Sequence, residues 1–235
     1  MGDVEDKLTQ AASLVPEVYY DLIARIPAGL TLFLGGLLVT GVLESQAWSL
    51  ETFRTFNWAP SAGLLALVLA ASYVLGILVT PWGYPVRERY YHATWVRLLP
   101  DYADLLAKHQ GKFGMAIPLQ DLQTGNVTDR LLRRLYGGMH DYLKGSNSQA
   151  NLILPKMTGE ASLCEHLVPV SLALAGALIG SCLLRYGWAA LNPNLLLGVL
   201  SWLALGAASF RAGQFRYERL LRRHFDFLAL SKVGQ

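Results

Sequence analysis

The chain has 235 residues, of which 53% are hydrophobic and 16% charged, against roughly 25% charged in an ordinary soluble domain. Its 20 Lys and Arg against 17 Asp and Glu leave a formal net charge of +3, too small a surplus to mark a nucleic-acid binder, so no direct nucleic-acid partner is expected. Two cysteines, Cys164 and Cys182, with no CxxC pair, exclude a disulfide framework and the common zinc spacings.

The first 25 residues carry Asp3, Glu5 and Asp6, which is the wrong sign for a secretory leader, and no small-residue cleavage site follows. Val4, Leu8, Ala11, Val15, Val18 and Leu22 recur at helical spacing, which suits an amphipathic cytoplasmic segment lying along a membrane surface, with a break near Pro16.

Residues 26–82 read as a hairpin of two membrane helices. Ile26 to Leu43 is uncharged, and so is the longer run from Thr55 to Val86. About 20 apolar residues rising 1.5 Å each cross a hydrocarbon core of about 30 Å. The long run must hold a connector, with Asn57, Trp58 and Pro60 at one end and Pro81, Trp82 and Gly83 at the other. A kink is expected at Pro81 or Pro85.

Residues 83–166 read as a helical cytoplasmic region punctuated by Pro100, Gly111, Pro118, Gly125 and Pro155, with no alternating run to argue for a strand. Its clearest helix starts near Asn126 or Thr128 and carries an apolar stripe of Val127, Leu131, Leu135 and Met139, with Leu132, Tyr136 and Leu143 beside it. The opposite face is basic: Arg130, Arg133 and Arg134 with Lys144. The stretch Gly145-Ser146-Asn147-Ser148-Gln149 reads as a mobile loop.

Residues 167–210 supply a second membrane hairpin, in the uncharged windows Leu167 to Leu184 and Tyr186 to Phe210. Asn192 and Pro193 form a helix start, and no breaker follows before Gly213. Residues 211–235 then read as a basic C-terminal helix, with Tyr217, Leu221, Phe225 and Leu228 on one stripe and Arg216, Arg219 and Arg223 on another. The fold class is an all-α membrane protein with four transmembrane helices and helical cytoplasmic extensions.

Orientation follows from the basic residues between the spans. The two short loops carry Arg54 and Arg185 alone, whereas ten Lys and Arg fall in residues 83–166 and six follow Phe210. The positive-inside rule therefore makes both termini and the central region cytoplasmic, with Arg87, Arg89, Arg216, Arg219 and Arg223 as the basic residues at the membrane surface.

Enzymatic constellations are absent, so no catalytic residue, metal or cofactor is expected. Cys164 and His166 are two apart and point about 200° away from each other on a helix, which does not suit a shared metal. With no ionisable group inside the spans, a complete ion-coupled pump is disfavoured. The hydroxyls Thr31, Thr40, Ser72, Thr80, Ser181, Ser201 and Ser209 could line a passive pore or could bond back to helix carbonyls. Small residues recur at four-residue spacing, including Gly76, Gly176 with Gly180, and Ala204 with Ala208. Such faces let backbones approach in lipid, and they point to helix packing or a homo-oligomer interface. The Arg130, Arg133 and Arg134 cluster suits a solvated helix face first, or else a partner's acidic surface, a nucleotide signal or anionic lipid.

The segment Tyr19-Tyr20-Asp21-Leu22-Ile23-Ala24-Arg25-Ile26-Pro27-Ala28-Gly29, with Ser72-Tyr73-Val74-Leu75-Gly76 ahead of Trp82-Gly83, resembles the small multi-span bacterial proteins that accompany antiphage defence genes. The resemblance implies a membrane sensor or effector acting with a soluble partner. Three readings follow in order: a homo-oligomeric inner-membrane effector or sensor whose cytoplasmic helices receive a signal and whose spans respond, pore opening being one form of response, a non-conducting scaffold that docks a cytoplasmic protein, and a membrane-embedded enzyme. The last is disfavoured for want of a reactive constellation. Reporter fusions after Ser148 and at Gln235 are predicted to report cytoplasm, and one between Glu44 and Asn57 the opposite side; an external signal from the Ser148 fusion would overturn the four-span order.

Overall fold

A computed structural model describes residues 18–37, 39, 62–125, 127–187 and 193–231. Among them no strand occurs, and the helices are α1 (Val18–Leu37), α2 (Ala62–Leu98), α3 (Ala103–His109), α4 (Leu119–Thr124), α5 (Asp129–Ser146), α6 (Ser148–Tyr186) and α7 (Pro193–Leu230). Short 3-10 turns at Pro100–Tyr102 and Gln110–Phe113 bracket α3. Four helices, α1, α2, α6 and α7, are long and apolar enough to cross a membrane. The proposed surface helix before Val18, the outer connector and Asn126 lie outside the described residues.

The chain divides into an apolar unit, residues 21–86 and 162–212, and a charged unit drawn from residues 1–20, 87–161 and 213–235. Helices α2, α6 and α7 have 37, 39 and 38 residues. At 1.5 Å per residue each is about 55 to 60 Å long, nearly twice a hydrocarbon core. Each contributes residues to both units without a break in the helix.

In the apolar unit α6 is the helix the other three share. Lipid gives helices no hydrophobic reason to associate, so close backbone approach has to supply the contact. The structure achieves it with glycines aimed at α6. A Cβ on Gly35 of α1 would stand 2.4 Å from Leu174, one on Gly83 of α2 2.9 Å from the His166 ring, and those on Gly198 and Gly206 of α7 3.0 and 3.3 Å from Leu178 and Ser171. Around them Val79, Val170, Leu174, Leu178, Cys182 and Leu195 form a buried cluster. The α1 and α2 backbones meet at a second crossing, where a Cβ on Gly29 would fall 1.7 Å from the Ser72 carbonyl oxygen and one on Gly76 2.3 Å from that of Arg25. Beside this crossing Arg25 Nε donates to Asp21 Oδ1 at 2.7 Å, and the Tyr73 hydroxyl donates to Asp21 Oδ2 at 3.2 Å.

The charged unit packs around aromatic side chains. Trp95 meets Phe225 edge-on at 5.7 Å, and Tyr102 stacks on the other ring at 4.1 Å. Tyr91 touches both Tyr136 and Tyr217, and its hydroxyl donates to the Leu132 carbonyl. Burial pushes the Tyr91 phenol well above its ordinary pKa, with Tyr136 adding to the shift, so the group stays a neutral donor. The expected stripe on α7 is confirmed, since Tyr217, Leu221, Phe225 and Leu228 are buried.

Several local expectations are corrected. The stretch from Gly145 to Gln149 is no mobile loop: α5 ends at Ser146, α6 begins at Ser148, and Asn147 joins them. Its Oδ1 accepts from the backbone N–H of Gln149 and Ala150 at 2.9 and 3.1 Å, a side-chain cap that starts the new helix at once. Pro155 does not punctuate; it lies inside α6, where it removes one intrahelical donor while Leu154 beside it is fully buried. Pro81 and Pro85, where a kink is expected, lie inside α2, whose helix continues past both, as a kink without a break allows. On α5 the expected apolar face is found, with Leu132, Leu135, Met139 and Leu143 buried and Val127 buried just before the helix; only Leu131, expected on that stripe, is exposed.

Replacing Gly76 by Ala is predicted to destabilise the chain by about 2 kcal/mol through overpacking against the Arg25 carbonyl, whereas Gly176→Ala, with open space at its Cβ position, should change little. Unfolding midpoints in mixed detergent compare the two; equal midpoints would remove the tight crossing.

Candidate functional site

The basic face of α5 is positioned by α2, which runs antiparallel to it. Glu88 accepts from Arg133 Nη2 at 2.5 Å, and one turn further along α2 His92 Nδ1 meets Asp129 Oδ1 at 2.7 Å. All four side chains are more than half exposed, so these links fix register more than they stabilise, each contributing at most about 1 kcal/mol. Arg133 is thereby partly neutralised. Arg130 and Arg134 lie exposed on the same helix. The three arginines, at positions 130, 133 and 134, therefore share an exposed face of α5.

The residues expected at a membrane surface separate into different environments. Arg216 Nη1 donates to Glu160 Oε2 at 2.6 Å, Arg223 stands 3.6 Å from Asp226, and Arg219 lies over the Phe215 ring at 5.4 Å. Arg89 is exposed and Arg87 half-buried. Arg97 and Arg222 both reach Glu218. Burial works to raise the Glu218 carboxyl, but the Arg222 and Arg97 hydrogen bonds outweigh it and hold the group below its ordinary range.

The small-residue positions also separate. Gly76 packs inside the chain against Arg25, while Gly176 and Gly180 have nothing within 4 Å of a built Cβ. Ala204 and Ala208 are exposed; the residue of α7 that packs inside the unit is Gly206. Thus Gly176, Gly180, Ala204 and Ala208 take no part in the tight contacts of a single copy.

Of the hydroxyls, Thr31, Thr80, Ser181 and Ser201 donate to carbonyls of their own helices, at 2.7, 3.1, 3.1 and 2.8 Å. This matches the back-bonded alternative for these four. Thr40 lies outside the described residues.

Two features escape the sequence reading. The apolar unit includes Ser162 to His166, and within it Cys164, Glu165 and His166 are all buried. These three residues precede the uncharged window that begins at Leu167, and the burial of α6 extends to them. The second feature is a histidine pair in the charged unit, 14 residues beyond the uncharged window that ends at Phe210. His140 Nδ1 and His224 Nε2 are 3.0 Å apart, and His224 Nδ1 lies 2.8 Å from the Leu220 carbonyl oxygen. Tyr136 stacks on His140 and touches His224 at 5.0 Å. His224 sits one turn from Leu228 and Leu221 on the apolar stripe, and the sequence marks it only as a polar residue on a buried face.

Among the described residues no cluster of three or more His, Cys, Asp or Glu side chains could hold a metal. Comparison of the chain with protein-family models, curated proteins and solved structures finds no match.

His224 gives this unit a defined pH dependence. Burial first of all, with repulsion from His140, lowers its pKa from 6.5 to about 4, against an opposing hydrogen bond to Leu220. The unfolded chain binds this proton first as pH falls. Stability is therefore full above about pH 6.5 and declines by about 3 kcal/mol between 6.5 and 4, levelling off below. Denaturation midpoints across that range, compared with those of His224→Met, are predicted to show this component in the native chain and its loss in the variant. Parallel profiles would contradict it.

Proposed function

We propose that the chain is a homo-oligomeric sensor or effector of the bacterial inner membrane, with both termini cytoplasmic, that receives a signal on its charged helical unit and responds through its apolar unit. One observation carries this reading: α2, α6 and α7 each run unbroken between residues of the charged unit and residues of the apolar unit, so a rearrangement of the first has a continuous helical backbone along which to act. The basic α5 face, with Arg130 and Arg134 exposed, is the surface for a cytoplasmic protein partner. The segments around Arg25 and Gly76 carry the resemblance to membrane proteins of antiphage defence, and they meet at the closest backbone crossing of α1 and α2. With Thr31, Thr80, Ser181 and Ser201 bonded to their own helices, conduction is assigned between copies, along the faces that carry Gly176 and Gly180.

The test is ion flux into liposomes holding the purified chain, with and without the protein encoded beside it. Partner-dependent flux is expected, and Arg130→Gln with Arg134→Gln should reduce it several-fold at unchanged insertion, since each exposed charge contributes attraction of about 1 kcal/mol. Retained capture of that protein with no flux under any condition would instead establish the non-conducting scaffold.

A further inference from the structure

Helix α7 leaves its uncharged window at Phe210 and continues without interruption to Leu230. Five residues on, about 7.5 Å along the axis at 1.5 Å each, Phe215 is 62% exposed. Helix side chains lean toward the N-terminus, so this ring reaches back toward the apolar window. The headgroup layer adds about 5 to 7 Å on each side of a hydrocarbon core, and aromatic side chains collect there. On α2 the same sign appears: Trp82 and Tyr84, each about half exposed, stand in the last five residues of an uncharged run that ends at Val86. The guanidinium of Arg219 lies over the Phe215 ring, 5.4 Å from its centre. Positions 215 and 219 are one turn apart, so this contact draws the charge back by a turn toward the apolar window.

We propose that Phe215 and Arg219 bind the headgroup of an anionic phospholipid, the ring lying among the glycerol and first methylenes and the guanidinium holding the phosphodiester. The neighbouring arginines of α7 are directed to acids instead. Arg216 donates to Glu160 at 2.6 Å, Arg222 donates twice to Glu218 at 3.0 and 3.1 Å, and Arg223 stands 3.6 Å from Asp226. Arg97 shares Glu218. Arg211, two turns before Arg219 on the same helix, is exposed and adds charge of the same sign. An anionic lipid fits on charge complementarity, because a phosphate pairs with a guanidinium through two parallel hydrogen bonds. It also fits by place, since exposed Leu196, Leu197, Leu200 and Leu203 precede the site along α7, where acyl chains cover such side chains. The site requires α7 to cross a membrane and does not depend on conduction or on a protein partner.

The test is photocrosslinking of the full-length chain, with p-benzoylphenylalanine in place of Phe215, in vesicles of phosphatidylcholine and phosphatidylglycerol in equal parts. Mass spectrometry identifies what the ring touches. Lipid adducts are expected, with phosphatidylglycerol exceeding phosphatidylcholine about fivefold for one added charge. Arg219→Gln should reduce that preference to less than half, whereas Arg216→Gln and Arg223→Gln, whose charges already face acids, should keep it. Soluble glycerol phosphate should leave the ratio unchanged, which separates a lipid headgroup from a free phosphate. Adducts to residues 1–17, which carry Asp3, Glu5 and Asp6 and lie outside the described residues, or to a second copy, in place of lipid, would overturn the site. So would equal labelling by the two lipids, a preference unchanged by Arg219→Gln, or displacement by glycerol phosphate. The identity of the adduct is read with Arg219 intact and does not depend on the Arg219 variant folding.

Discussion

Backbone contact across glycine is the constraint on which the apolar unit depends. Side chains facing lipid gain nothing by turning inward, and what holds membrane helices together is dispersion between closely fitted surfaces and polar contact between them. Gly35, Gly83, Gly198 and Gly206 bring three helices onto α6, and Gly29 and Gly76 bring α1 onto α2. Each position would be filled by the first carbon of any other side chain. Because α6 receives contacts from every other span, its own residues are buried around much of its circumference, which is why Glu165 and His166, adjacent and about 100° apart on a helix, are both enclosed.

The charged unit obeys different physics. There the buried faces of α5 and α7 can draw on the hydrophobic effect, and aromatic rings from α2, α5 and α7 fill the core, with the Tyr91 hydroxyl donating to the Leu132 carbonyl. The ion pair linking Glu88 to Arg133 and the hydrogen bond between His92 and Asp129 lie at the exposed edge, where they choose the register of two antiparallel helices without contributing much free energy. Against that background the buried His224 places a titratable group where the surrounding core disfavours its charged form.

Much of this architecture is legible in the residues. Windows free of charge locate the apolar helices, and the period of Tyr217, Leu221, Phe225 and Leu228 locates the buried face of α7. What escapes are features decided by tertiary neighbours. A four-residue repeat of Ala204 and Ala208 reads like a contact face, yet Gly206 between them makes the contact, because the face in use depends on how α7 is rotated toward α6. Gly145 to Gln149 has the composition of a loop, but one Asn side chain can cap a helix and reduce the loop to a single residue. Pro155 signals a break by its chemistry, whereas a long packed helix can lose one hydrogen bond and continue. Histidines at 140 and 224 are 84 residues apart, a pairing that no local period encodes.

A single copy leaves Gly176 and Gly180 open and Ala204 and Ala208 on its surface, and the proposed function gives those faces to other copies. The mass of the purified particle, measured by light scattering with the detergent contribution subtracted, tests this most directly. The account predicts a whole-number multiple of the 25.8 kDa chain, at least two, that collapses to one chain when Gly176 and Gly180 are both replaced by Ile. A native particle of one chain, or a multiple unchanged by both replacements, would contradict it.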